Sequence, residues 1–152
     1  MTKEEANKAM DLALSEAEQA LSEGEIPVGA VLLMNGKPFC SAHNRREQDA
    51  DPTAHAEILV IRQAARQLGS WHLDGLELVV TLEPCAMCAG AIAASRLSHV
   101  IFGAFDTSAG CCGSVYALTE DPSLHTCHVN AEGGFREAEC RKLLSRFFEN
   151  KR

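Results

Sequence analysis

Two short strings hold residue types able to do metal chemistry together: His55-Ala56-Glu57 and Pro84-Cys85-Ala86-Met87-Cys88. A Cys-x-x-Cys pair at a helix start lets both sulfurs face one point, where exposed N–H groups and the helix dipole favour thiolate. Adding His55 gives a Cys₂His set for zinc, with bonds of about 2.0–2.1 Å to nitrogen and 2.3 Å to sulfur. Structural zinc normally has four protein ligands, whereas three ligands and an open position mark a catalytic site. No second Cys-x-x-Cys or His-x₃-His completes the set. Cys111-Cys112 is the alternative source of a fourth ligand, although adjacent cysteines rarely both reach one metal. Glu57 is placed to take a proton from zinc-activated water without ligating the metal. The hydroxide then attacks an electrophilic ring carbon, and the carboxylate returns the proton to a ring nitrogen and a leaving amine. Each string alone is weak, since His-x-Glu is common at helix starts and Cys-x-x-Cys also serves redox pairs and structural zinc. In combination they point to one hydrolytic metal centre.

Such a centre needs rigid supports, and the hydrophobic pattern predicts them. Thr2 with Glu5 reads as a capping box. Ala6, Met10, Leu14, Ala17 and Leu21 form one apolar helix face, which stops near Gly24. Val28 to Met34 and Lys37 to Ala42 read as strands joined by the hairpin turn Asn35-Gly36. A polar loop runs from His43 to Thr53. A helix follows from about Ala54 to Leu68, closed by Gly69. Leu76 to Leu82 reads as a buried strand. Pro84 suits the first turn of the next helix, which runs to about Arg96. Ser98 to Phe102 reads as a strand, residues 106–114 as a flexible loop, Thr126 to Asn130 as an edge strand and Phe135 to Asn150 as a last helix. The order α-β-β-α-β-α-β-(β)-α predicts an α/β protein, a three-layer α/β/α sandwich around a mixed sheet of about five strands. Both helix starts that carry the metal strings follow β segments and are expected to converge at one end of the sheet.

Composition narrows the setting. A chain of 152 residues with 46% hydrophobic and 23% charged residues suits one domain spanning 1–152. No apolar run is long enough for a membrane helix, and no secretory h-region follows Lys3, Glu4 and Glu5. Seven cysteines, an odd number, then point to reduced thiols or metal in the cytoplasm. The net charge of −7 argues mildly against a nucleic-acid partner. Its distribution is uneven: residues 1–25 carry seven acids and two lysines, residues 141–152 five bases and one acid. The basic end serves either phosphate binding or the helix dipole.

His-x-Glu followed by Pro-Cys-x-x-Cys is the signature of zinc deaminases. The longer strings resemble the bacterial tRNA-specific adenosine deaminases of the cytidine/deoxycytidylate deaminase superfamily: Ile26 to Val31, Asp51 to Ile58, Thr81 to Ala91, and Phe102-Gly103-Ala104 with Asp106. The resemblance runs from about residue 4 to the C-terminus. It implies a cytidine-deaminase-like fold, one zinc per subunit, a homodimer, and conversion of adenosine to inosine at the wobble position of the tRNA anticodon stem-loop. His55, Cys85 and Cys88 match the zinc ligands and Glu57 the proton shuttle. Asn44 matches a contact to the flipped-out nucleotide, Ile26 and Val28 the pocket walls, and the Ala56 N–H a contact to the base. Asp106 matches a loop that meets the RNA backbone, and Phe147 and Phe148 lie in the last helix, about 135–150, which lines the anticodon groove. Other readings stay open. Asn44 also suits an Asx turn, Ile26 and Val28 suit ordinary strand positions, and one of the adjacent Phe147 and Phe148 is expected in the core. Trp71 suits packing or an interface better than base stacking. Three departures stand out: Phe105 where a basic residue is expected, Cys111-Cys112 where alanines are usual, and a short, mildly basic tail. A deaminase of a free nucleobase or nucleoside (guanine, cytosine or cytidine type) shares the zinc and the glutamate. Asp51-Pro52-Thr53, Phe102-Gly103-Ala104 and the last helix favour tRNA over that alternative. A zinc-binding subunit without catalysis is disfavoured by the presence of Glu57.

Overall fold

A computed structural model describes residues 1–124 and 128–150. The chain opens with α1 (Lys3–Ser22), capped as its sequence predicts: the Glu5 N–H donates to Thr2 Oγ1 at 3.1 Å and the Thr2 N–H to the Glu5 carboxylate at 2.7 Å. Then come β1 (Gly29–Met34), β2 (Lys37–His43), α2 (Ala56–Leu68), β3 (Glu77–Leu82), α3 (Ala86–Ala94) and β4 (His99–Ala104). A 3₁₀ turn (Leu118–Glu120), β5 (Asn130–Glu132) and α4 (Glu137–Glu149) complete it. Asn35 and Gly36 both have positive φ, 53° and 77°, the geometry a tight β1–β2 turn requires.

The strands form one sheet in the order β2-β1-β3-β4-β5. β1 is antiparallel to β2 and β3, while β3–β4 and β4–β5 are parallel. β2, β3 and β4 therefore run the same way, and the loops leaving their C-terminal ends emerge together. That is why the starts of α2 and α3 meet. The β1–β2 pairing slips once: Leu32 faces Cys40 and Leu33 faces Pro38, leaving Phe39 as an extra residue.

Period-two alternation divides the core. Val31, Leu33, Val79 and Ile101 pack with Ala6, Ala9, Met10 and Ala13 of α1 and Cys140 of α4. Ala30, Leu32, Leu78, Val80, Val100 and Phe102 face the opposite way, onto Val60 and Ala64 of α2 and Ile92 of α3. The sandwich thus has α1 and α4 on one face and α2 and α3 on the other, as expected.

Several boundaries and one face differ from the sequence reading. The buried stripe of α1 is Ala6, Ala9, Met10, Ala13, Ala17 and Ala20, with Leu14 and Leu21 only partly buried. Alanines win because β1 presents Gly29, where an added Cβ would lie 1.9 Å from the Ala13 carbonyl oxygen. Leucines on that line would hold the helix off the sheet. Pro84 is not in the first helical turn. It lies before Cys85, the extended N-cap of α3, and its carbonyl accepts the Cys111 N–H at 2.8 Å. α2 starts two residues later than predicted, with His55 as N-cap. α3 ends at Ala94 and α4 starts at Glu137, after Arg136 in a left-handed conformation. The last described strand is Asn130–Glu132; of the predicted Thr126 to Asn130, His128 and Val129 precede it without strand pairing, and Thr126 and Cys127 lie outside the described residues, as do Lys151 and Arg152.

Candidate active site

Each candidate metal ligand sits at a helix start. His55 is the N-cap of α2, Cys85 the N-cap of α3, and Cys88 is buried one turn further along α3. His55 Nδ1 is 3.7 Å from Cys85 Sγ and 3.5 Å from Cys88 Sγ, and all three atoms lie within 4.8 Å of one another. Charge is unevenly shared among them. The contacts with Cys88 and His55 hold the Cys85 thiol down at about 3, whereas the same Cys85 contact and burial push Cys88 far up. Cys85 in turn raises His55. Two thiols competing for one negative charge beside an imidazole form a donor set that a zinc ion satisfies, because the metal stabilises both thiolates at once. The three residues present fit zinc in number and type. Cys111 and Cys112 are free thiols and do not join the cluster.

Glu57 is the second residue of α2, and only 4% of it is exposed. Burial pushes its carboxyl up to about 7, against the opposing pull of its own backbone N–H and of His55. It lines a cavity of about 220 Å³ together with His55, Cys85, Ala56, Ile26, Val28, Asn44 and Asp106. Every substrate residue read from the sequence outside α4 therefore reaches this one cavity. Ala56 opens α2, so its N–H belongs to the donors that a helix start leaves without an intrahelical partner. Asn44 makes an Asx turn after all: its Oδ1 accepts the Arg46 N–H and its Nδ2 donates to the Ile26 carbonyl, both at 3.2 Å. One N–H and one lone pair of its amide remain for other contacts.

The two phenylalanines of α4 diverge. Phe148 is exposed and lines a groove of about 520 Å³ with Phe105, Asp106 and Arg141. Phe147 is half-buried and lines a separate cavity with Asn44 and Arg46. Neither belongs to the core, contrary to the expectation for one of them, because α4 turns Cys140 and Leu143 inward instead. Their rings meet edge to face at 5.2 Å. Trp71 is exposed beneath Arg96 and against His72, away from the cavity.

Four cavity residues escape a reading of the sequence: Arg46, Leu82, Glu83 and Ala109. Leu82 and Glu83 flank the Pro-Cys string, and an acid directly after a buried strand is the available signal for Glu83. Arg46 and Ala109 carry no local signal; loop geometry places them. Two buried carboxylates fix the loops beside the cavity. Glu25 accepts the N–H groups of Glu47 and Gln48 at 3.0 and 2.7 Å. Glu83 accepts N–H groups from Asp106 at 3.0 Å, Cys112 at 3.1 Å and Ser114 at 2.9 Å, and also the Ser114 hydroxyl.

Comparison with known proteins agrees with this geometry. Residues 3–104 match the cytidine and deoxycytidylate deaminase zinc-binding region. The chain is 46% identical to the tRNA-specific adenosine deaminase of Bacillus subtilis over 143 residues, 94% of this chain and 88% of that one. Identity to the enzyme of the same name from Aquifex aeolicus is 43%, covering 94% and 93%. Among solved structures, one from studies of A-to-I editing by tRNA:A34 deaminases at the wobble position superposes with a TM-score of 0.87 at 40% identity, covering 91% of this chain and 99% of that one. A guanine deaminase from Bacillus subtilis shares 36% identity with a TM-score of 0.64, over 70% and 67%.

Proposed function

The chain belongs to the cytidine and deoxycytidylate deaminase family, and from that premise we propose that it converts adenosine to inosine at the wobble position of the tRNA anticodon by zinc-dependent hydrolysis. The observation that carries this reading is one cavity lined by His55 and Cys85 of the Cys₂His cluster, with a buried carboxylate, a helix-start N–H and apolar walls. A base taken out of its stack needs such walls and a few polar contacts to its edge. The likeness to tRNA deaminases extends over nearly the whole chain, while the likeness to the guanine deaminase is shorter.

His55, Cys85 and Cys88 hold the zinc, which when bound supplies the Lewis acidity that makes water nucleophilic near neutral pH. Glu57 takes a proton from the attacking water on a carboxylate oxygen and delivers it to N1 of the adenine ring. A second transfer through the same carboxylate carries a proton to the exocyclic amine. The bond from C6 to nitrogen breaks, ammonia leaves, and C6 keeps the oxygen as a carbonyl. The Ala56 N–H and the spare amide capacity of Asn44 orient the nucleoside, and Ile26 and Val28 exclude water from its faces. The loop carrying Asp106 and the exposed face of Phe148 receive the RNA beside the cavity, with Phe147 on the Asn44 side.

In this reading residues 1–152 act as one cytoplasmic catalytic domain, with the last helix serving substrate binding. Two copies pair through the outward side of α3, where Met87 and Ala94 are exposed and Gly90 and Ala91 half-buried, while Cys88, Ala89, Ile92 and Ala93 face the core. Among the described residues no helix is long and apolar enough to cross a membrane. A mass-resolved assay of zinc-loaded protein tests the function, comparing an adenosine-34 anticodon stem-loop with free adenosine, guanine and cytidine. Inosine formed in the stem-loop alone is the expected result. Turnover of a free base with an untouched stem-loop overturns the substrate and leaves the zinc chemistry standing.

A further inference from the structure

We propose that Glu83 is a positioning residue: it clamps the loop 105–114 as a rigid wall beside the reaction cavity and so sets the affinity for RNA. The inference rests on the substrate reading above and adds a residue to it. Glu83 follows β3 and is 2% exposed; its own N–H continues the sheet by donating to the Ala104 carbonyl at 2.9 Å. Its carboxylate takes four hydrogen bonds, two on each oxygen: the Asp106 N–H and the Ser114 hydroxyl on one, the Cys112 and Ser114 N–H groups on the other. An ionised carboxylate has about four acceptor sites, so none is left for substrate although the residue lines the cavity. That saturation makes it a support, not a reacting group.

The clamp is also sterically matched. A Cβ on Gly110 would come within 2.3 Å of the Glu83 carboxylate carbon and 2.5 Å of the Asp106 carbonyl oxygen. The loop therefore closes over the carboxylate with no room for a side chain at 110. The adjacent Pro84 carbonyl holds Cys111 at 2.8 Å. One dipeptide thus fixes four loop residues, Asp106, Cys111, Cys112 and Ser114, and is followed directly by Cys85. Metal ligand and RNA-facing wall are set by the same stretch of backbone.

The test compares Glu83→Gln, Ser114→Ala and Gly110→Ala with the parent protein, all zinc-loaded. Glu83→Gln turns one acceptor into a donor facing the loop N–H groups, so the amides of Asp106, Cys112 and Ser114 should lose protection from hydrogen exchange. The KM for the stem-loop should rise about ten- to hundredfold while kcat falls less than about threefold and zinc content stays at one per chain. Ser114→Ala removes one of the four bonds and should give a smaller change of the same kind. Gly110→Ala keeps the carboxylate but displaces it, and should reproduce the KM effect; it carries the test if Glu83→Gln does not fold. Unchanged amide protection, or a loss confined to kcat, overturns the proposal. A parent enzyme inactive on the stem-loop overturns the substrate reading instead, and the exchange measurement then decides the clamp by itself.

Discussion

Replacing Glu57 by glutamine keeps its shape and burial but removes its ability to carry protons. Glu57→Gln is expected to retain one zinc per chain and the parent melting temperature within a degree or two, while kcat falls at least about 10²- to 10⁴-fold. Persistent turnover alongside intact metal would assign proton transfer to another group. Glu57 could be picked out as a candidate from the sequence because the proposed task dictates its type: a carboxylate two residues from an imidazole at a helix start. The same holds for His55, Cys85 and Cys88, whose chemistry admits few substitutes. Asn44 was legible as an Asx turn, and its amide keeps one N–H and one lone pair beyond that turn. Glu83 and Arg46 were not assigned, because what they do depends on chain segments that sequence does not place beside them. Nothing in residues 83–84 announces that the N–H groups of 106, 112 and 114 will converge there.

At the scale of elements, the closest packing is α1 on β1. Gly29→Ala would place a methyl group 1.9 Å from the Ala13 carbonyl oxygen, a contact with helix backbone that no rotamer relieves. The substitution should destabilise the domain by about 2–4 kcal/mol by pushing α1 from the sheet. Equilibrium denaturation measures it, and a change below about 0.5 kcal/mol would show that the helix shifts freely. The sequence reading gave α1 its extent and its cap but rotated its face toward Leu14 and Leu21, since periodicity weighs large apolar residues above alanines. The sheet reveals why alanines win: a glycine strand face needs small partners. Helix starts were read one or two residues early at α2, α3 and α4. Apolar pattern marks where a helix is buried, whereas its first residue is set by which one becomes the cap, and here two of the caps are candidate metal ligands, His55 and Cys85.

Across the whole molecule, the metal cluster bridges two helix starts on a sheet that has an apolar core on each face. With an apolar core on each face, zinc is expected to add stability by mass action. At free zinc about 100-fold above Kd this is roughly 2.7 kcal/mol. For a domain of this size it corresponds to a fall of about 5–10 °C in melting temperature after chelation, with the protein still folded at 25 °C. Circular dichroism on chelated and reloaded protein checks this, and unfolding on chelation at 25 °C would make the metal structural. The layers were legible because the order of helices and strands, with near-continuous apolar runs along β1, β3 and β4, calls for helices on both faces of the sheet, whereas the position of β5 was not, since a three-residue strand leaves too short a pattern. That shortness has a consequence of its own. β5 offers almost no length for a foreign strand to pair with, and the opposite edge, β2, carries Lys37, Pro38 and the skipped residue Phe39. Proline lacks the donor that a templated ladder requires, and a bulge twists an edge away from a flat neighbour. Neither margin of the sheet can seed runaway strand addition in a crowded cell.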